Sequence, residues 1–218
     1  MKNLIFIAPH GTGKGTQCDL LVQKYNYNHI ATGNMIREAI SKNDDFSDKL
    51  KNIIDSGKLV DDDIILKMLN NYLEKNNLST SIVFDGYPRN LNQALDLEKL
   101  MSQKRIKIDL VIYLKIDKEE ALKRTLGRQF CPNCQRSYNI YYQDLKPKQE
   151  NICDVCNTNL ENRSDDTKET FDKLFNVFLK ETEPVLKYYQ EKNILKIIDA
   201  SKSKEEIFAI IEESISDN

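Results

Sequence analysis

The chain contains no apolar run approaching the ~20 residues of a membrane span. Its 34 acidic and 32 basic residues leave a formal charge of only −2, with no block of like charge to suggest nucleic acid or an anionic membrane as partner. It has no internal repeat and no low-complexity linker, so its length fits one compact domain carrying insertions. The opening MKNLIFIAPH reads as a strand entering a loop, not as a cleavable leader, and a soluble cytoplasmic protein is expected. Glycine is scarce as well. There are seven, and Gly11, Gly13 and Gly15 crowd into one short run.

That run, APHGTGKGT from Ala8 to Thr16, follows the apolar Leu4-Ile5-Phe6-Ile7 and precedes Cys18-Asp19-Leu20-Leu21-Val22, where a helix can start. A buried strand passing through a glycine-rich turn into a helix N-terminus is a cradle for polyphosphate. Glycine lets backbone N–H groups wrap around oxygens. The helix terminus adds partial positive charge, and Lys14 reaches the outer phosphates. Gly11, Thr12, Gly13, Lys14, Gly15 and Thr16 are thus candidates for holding a nucleoside phosphate. The run departs from the general G-x-x-x-x-G-K-[ST] pattern twice: Ala8 replaces the first glycine, and Gly15 moves the hydroxyl on to Thr16.

The other four glycines mark further segments. In ATGNMIR (Ala31 to Arg37), Thr32 or Asn34 can cap a helix, with Arg37 about one turn in. Gly57 in SGKLV (Ser56 to Val60) suits a helix C-cap. SIVFDGYPR (Ser81 to Arg89) is a strand ending in an acid, a turn and a guanidinium, with Gln93 just beyond; TLGR (Thr125 to Arg128) ends a helix in glycine and presents another arginine. In this order, and with a loop ending GKGT, the segments resemble the adenylate kinases over nearly the whole chain.

Four of the five cysteines form Cys131-Pro-Asn-Cys134 and Cys153-Asp-Val-Cys156. Each pair can grip one side of a tetrahedral Zn²⁺, and two pairs complete it. Disulfides are the competing reading, but an intracellular chain keeps its thiols reduced, and a redox C-x-x-C needs only one pair. Residues 127–166 are mostly polar and turn-like, too few for an adequate core, so a structural metal would supply folding free energy. Cys18 reads as a small buried apolar residue.

Strands are expected at Asn3 to Ala8, Asn28 to Ala31, Ser81 to Asp85, Asp109 to Ile116 and Asn193 to Asp199, and helices at Asp61 to Glu74, Leu91 to Gln103, Lys118 to Leu126 and Lys204 to Ile215. The alternation implies an α/β fold: a five-stranded parallel sheet with helices on both faces and phosphate at the strands' carboxyl ends. Residues 1–30, 61–126 and 167–218 would form the core. The resemblance makes 31–60 an AMP-binding arm and 127–166 a lid over ATP, with the four-cysteine zinc site of some bacterial members inside it.

The resemblance implies phosphoryl transfer between ATP and AMP, with ADP as product, by a monomer. The AMP phosphate is already ionised, so no general base is needed; positioning and charge neutralisation carry the chemistry, and arginine forks suit that task. It places Lys14, Arg89, Arg124, Arg128 and Arg163 around the phosphates, and Arg37 on AMP. Asp85 would anchor the waters of Mg²⁺. For AMP it adds Thr32, Lys58, Leu59, Val60, Gly86, Tyr87, Pro88 and Gln93, the last for the adenine edge. For ATP it adds Ser137, Tyr138 and Lys202. Arg163-Ser-Asp165-Asp166 matches the family's R-x-D-D. The family's next arginine, about three helical turns on, is Leu174 here; Lys173 beside it points about 100° away, and one phosphate contact is expected to be missing.

Overall fold

The structure is a computed structural model that describes residues 1–41, 45–55, 60–134, 136–163 and 165–216. In chain order its elements are β1 (Leu4–Ile7), α1 (Lys14–Tyr25), β2 (Asn28–Ala31), α2 (Thr32–Ile40), α3 (Asp45–Asp55), α4 (Asp62–Lys75) and β3 (Ile82–Asp85). Then come α5 (Leu91–Gln103), β4 (Leu110–Lys115), α6 (Lys118–Leu126), β5 (Arg128–Phe130), β6 (Ser137–Asn139), α7 (Lys168–Glu191), β7 (Leu195–Asp199) and α8 (Lys204–Ser216). Five strands form one parallel sheet in the order β2-β3-β1-β4-β7.

The sheet explains the unbroken apolar runs. Side chains alternate between faces along a strand, and both faces of this sheet are covered. Leu4 and Phe6 of β1 pack with Cys18 and Leu21 of α1 and Ile207 and Ile211 of α8. Ile5 and Ile7 join the opposite cluster, with Leu69 of α4, Leu97 of α5 and Val185 of α7. No position of β1 faces water, so none is polar. Cys18 is fully buried, as its chemistry suggested.

Two local expectations change. The first helix starts at Lys14, inside the glycine run, not at Cys18. Neither Thr32 nor Asn34 caps α2: its N-cap is Ala31, and Thr32 instead donates from Oγ1 to the Gly86 carbonyl at 3.1 Å. Gly57, Lys58 and Leu59 lie outside the described residues. Gly127 does close α6, as read from the sequence.

Two excursions leave the sheet. α2 and α3 pack together after β2, and between α6 and α7 the chain forms the antiparallel pair β5–β6, extended by a bridge from Phe130 to Glu161. Among the described residues no helix is long and apolar enough to cross a membrane.

Candidate active site

β1 and β3 are neighbours, so the glycine loop leaving β1 and the turn leaving β3 emerge side by side at the sheet's carboxyl edge. The loop is pressed onto α6. Gly11 has φ +82°, and a Cβ there would lie 2.3 Å from the Ala121 carbonyl oxygen, so only glycine fits. Thr12 is buried and donates from Oγ1 to the Pro9 carbonyl at 3.0 Å. α1 begins after Gly13 with no side chain capping it, which leaves its first N–H groups for an anion.

Lys14, the first residue of α1, places Nζ 2.7 Å from Asp85 Oδ1, and His29 Nε2 lies 3.0 Å from Oδ2. Burial pushes the Asp85 carboxyl up, but the Lys14 charge and the bonds from His29 and Lys14 prevail and hold it well below the usual carboxylate range. Asp85 is thus an ionised, hard oxygen ligand at a strand end, which fits the anchoring of hydrated Mg²⁺. Donor atoms of Cys18, His29 and Asp85 lie within 4.8 Å of one another. Burial pushes the Cys18 thiol far up, however, and Lys14 already meets the Asp85 charge. His29 was not singled out from the sequence, because its partner sits on another strand.

The Gly86 turn gathers the next groups. Gly86 has φ +79°, and a Cβ there would meet Thr32 Oγ1 at 3.2 Å, Arg89 Nη2 at 3.5 Å and Lys14 Nζ at 3.8 Å. Arg89 Nε donates to the Gly86 carbonyl at 2.8 Å. Beside this turn a small cleft opens between Thr32, Val60, Ile65, Arg89 and Gln93. Tyr87 and Pro88 are buried and shape the turn. Arg37 is bonded to Asn34 Oδ1.

Positive charge accumulates above the loop. Desolvation and the charges of Lys14, Arg128 and Arg89 push the His10 imidazole down to about 4. Desolvation and the neighbouring Arg128 and Arg37 likewise push Arg163 below its ordinary value, against Asp166 and Asp165. Arg128 is held by Asp166, Nε to Oδ2 at 2.8 Å and Nη2 to Oδ1 at 2.5 Å. Arg124 is set differently. Its Nε donates to Glu120 Oε1 at 2.8 Å and its Nη1 to the Ala200 carbonyl at 2.7 Å, while the Tyr142 ring lies 5.5 Å from the guanidinium carbon. Glu120 and Tyr142 were missed in the sequence; nothing local marks them. Ser137 and Lys202 are exposed, whereas Tyr138 is buried with its hydroxyl 3.4 Å from Cys153 Sγ. That leaves the backbone of Tyr138, not its ring, for a nucleotide.

The four cysteines converge. Cys131 and Cys156 Sγ are 3.3 Å apart, Cys134 and Cys153 Sγ 3.5 Å, and all four lie within 4.8 Å of one another. Both knuckles close alike, with Cys131 N–H donating to the Arg136 carbonyl and Cys153 N–H to the Thr158 carbonyl, each at 2.9 Å. Hydrogen bonds from Thr158 push the Cys156 thiol down to about 5. A soft four-thiolate cage of this kind fits tetrahedral zinc. Among the described residues, Tyr138 and Leu160 are the members other than cysteine of the small buried cluster around it.

Leu174 lies on α7, half-buried and, among the described residues, outside the apolar clusters, although its neighbour Phe175 packs on Phe171 and Ala121. If the activity is the one the resemblance implies, Leu174→Arg is expected to raise kcat more than it lowers KM for AMP. A charge-assisted bond of about 1.5–3 kcal/mol corresponds to roughly 10- to 100-fold in rate, with an unchanged melting temperature. A lower melting temperature with no gain in rate would show that the helix face serves packing.

A parallel sheet with a glycine loop and a lysine at a helix N-terminus beside an acidic strand end defines a phosphate-loop nucleotide-binding protein. Comparison with known proteins makes this specific. The sequence profile described as adenylate kinase matches residues 6–194. Proteins named adenylate kinase from Thermoanaerobacter sp. (strain X514), Archaeoglobus fulgidus and Hydrogenobaculum sp. are 36%, 37% and 38% identical, covering 98%, 96% and 94% of this chain and 98%, 96% and 96% of their own lengths. The chain belongs to the adenylate kinase family.

Proposed function

We propose that the protein catalyses reversible, Mg²⁺-dependent phosphoryl transfer from ATP to AMP, giving two ADP, and thereby balances adenine nucleotides. The observation that carries this reading is the meeting of Lys14, at the open N-terminus of α1, with Asp85, 2.7 Å away, and with Arg89 across the Gly86 turn. ATP phosphates lie in the loop from Gly11 to Thr16. Lys14 and the arginines Arg89, Arg124, Arg128 and Arg163 hold donor and acceptor in line and take up the charge that spreads over the transferred group. Bound Mg²⁺, its waters held by Asp85, supplies further neutralisation of that charge. AMP occupies the cleft beside Gly86, with Arg37 on its phosphate and Thr32, Val60 and Gln93 around its base; the resemblance adds Lys58 and Leu59, which lie outside the described residues.

Residues 31–60 act as the arm that closes on AMP and 127–166 as the lid over ATP, with Ser137, Tyr138 and Lys202 on the ATP side. Cys131, Cys134, Cys153 and Cys156 hold a structural zinc ion, and a complete set of four thiolates leaves no ligand position for catalysis. The working form is a cytoplasmic monomer. A coupled assay with Mg-ATP against AMP, GMP, CMP and UMP tests the reading. ADP formation only with AMP is expected, and turnover confined to another monophosphate overturns the assignment of substrate.

A further inference from the structure

Gln93 forms one wall of the cleft beside Gly86 and is 4% exposed. Both ends of its amide are already engaged. Nε2 donates to Asp62 Oδ1 at 2.6 Å, and Oε1 accepts the Arg89 backbone N–H at 2.6 Å. Asp62 in turn accepts Asn90 Nδ2 on Oδ2 at 3.1 Å, while Asn90 Oδ1 accepts the Gln93 backbone N–H at 2.8 Å. We propose that Asp62 is a specificity-determining positioning residue: with the Arg89 N–H it fixes which way round the Gln93 amide faces, and so makes the cleft select adenine over 6-oxopurines. The proposal rests on the reading of this cleft as the AMP site.

An ionised carboxylate only accepts hydrogen bonds, and a backbone N–H only donates. Turning the Gln93 amide over would set its oxygen against the Asp62 carboxylate and its NH₂ against the Arg89 N–H. Both contacts would be repulsive at once, so one orientation is enforced. Asn90 cannot relieve the conflict, because its own amide is fixed by the same carboxylate and by the N-cap bond of α5.

After these bonds the amide retains one acceptor lone pair on Oε1 and one N–H on Nε2, and Gln93 lines the cleft. Adenine offers a complementary pair, a donor at N6 and an acceptor at N1. Hypoxanthine and guanine reverse it, with an acceptor at O6 and a donor at N1. Against an amide that cannot turn, a 6-oxopurine meets acceptor with acceptor and donor with donor. A site whose polar groups are fixed in this way discriminates by far more than shape alone. Asp62 never touches the base; it acts through Gln93.

Inosine monophosphate is the sharpest probe, since it differs from AMP only at these two positions of the base edge. With Mg-ATP as donor, kcat/KM for AMP over that for inosine monophosphate is expected to exceed about 10³ in the wild-type protein. Asp62→Asn, which can donate as well as accept, should narrow the ratio at least ~10-fold by raising KM for AMP and lowering it for inosine monophosphate, with kcat for AMP within about threefold. Asp63→Asn removes the same charge from the same helix turn but from an exposed side chain, and should leave the ratio unchanged. If Asp62→Asn does not fold, Asp62→Ser is read in its place. Gln93→Ala separates the two levels of the argument. A collapsed ratio in Gln93→Ala with an unchanged ratio in the Asp62 variant overturns the role of Asp62 alone. An unchanged ratio in both, or a wild-type protein that does not use AMP, overturns the reading of the cleft itself.

Discussion

Lys14→Ala lowers turnover of Mg-ATP with AMP by about 10²–10³-fold or more, while the protein remains folded at 25 °C. The kinetic loss follows from removing an ammonium that lies at the helix N-terminus and at the acidic strand end together. A single preorganised donor to developing charge is worth a loss of this order, and Lys14 adds a full charge to its donor role. The structural loss is smaller. Asp85 forfeits its 2.7 Å partner but keeps the bond to His29, so a cost of about 1.5–3 kcal/mol is expected, a few degrees in melting temperature for each kcal/mol at this size.

The pair also has an acid limb. The folded Asp85 carboxyl lies below its unfolded value of 3.8, so its contribution to stability is complete above that value and is lost as pH falls through the depressed folded one. Steady-state kinetics and a thermal melt on the one variant separate the two effects. Near-normal turnover in Lys14→Ala would sink the assignment of the loop as the phosphate cradle.

The second large effect concerns zinc. Elemental analysis of protein prepared without chelator is expected to give one equivalent, absent from Cys153→Ser. Stripping the metal should unfold residues 127–166 before the sheet. The buried cluster there is little more than the cysteines, Tyr138 and Leu160, so few apolar contacts remain to hold it. Metal binding to small four-ligand sites contributes about 10–16 kcal/mol of apparent folding free energy, far more than such a cluster provides. Hydrogen exchange should report rapid loss of protection between Arg128 and Glu161 while β1 and β4 stay protected. A protein that carries no metal, or that links these cysteines as disulfides in reduced extract, removes the basis of this expectation.

What was legible in the sequence was whatever chemistry is written locally. Strands buried on both faces announced themselves as short apolar runs, because β1 and β4 have almost no solvent-facing position to encode. The glycine loop was legible because its backbone admits so few side chains: Gly11 has an α6 carbonyl 2.3 Å from where a Cβ would sit. The start of α1 was placed too late, since Gly13-Lys14-Gly15 looks like turn sequence, whereas Gly13 is a left-handed N-cap and the helix already begins at Lys14. Thr32 was misjudged as a cap for a related reason. Its hydroxyl had a long-range alternative in the Gly86 carbonyl, which the sequence cannot display. Asp62, Glu120, Tyr142 and His29 were invisible in the same way, because each matters through a partner that only the fold brings near. Lys58 and Leu59 lie outside the described residues, and their assignment rests on the resemblance alone.

The double hydrogen bond between Arg128 and Asp166 joins the first and last turns of the excursion between α6 and α7. The two chain ends entering that excursion are therefore already a side chain's reach apart. Loop-closure entropy grows only slowly with length once the ends are fixed, so the sheet is nearly indifferent to how many residues lie between them. Everything from Gln129 to Asp165 is in this sense a cartridge: a short turn, or a different insertion, could be spliced between the same two residues without rewriting the core.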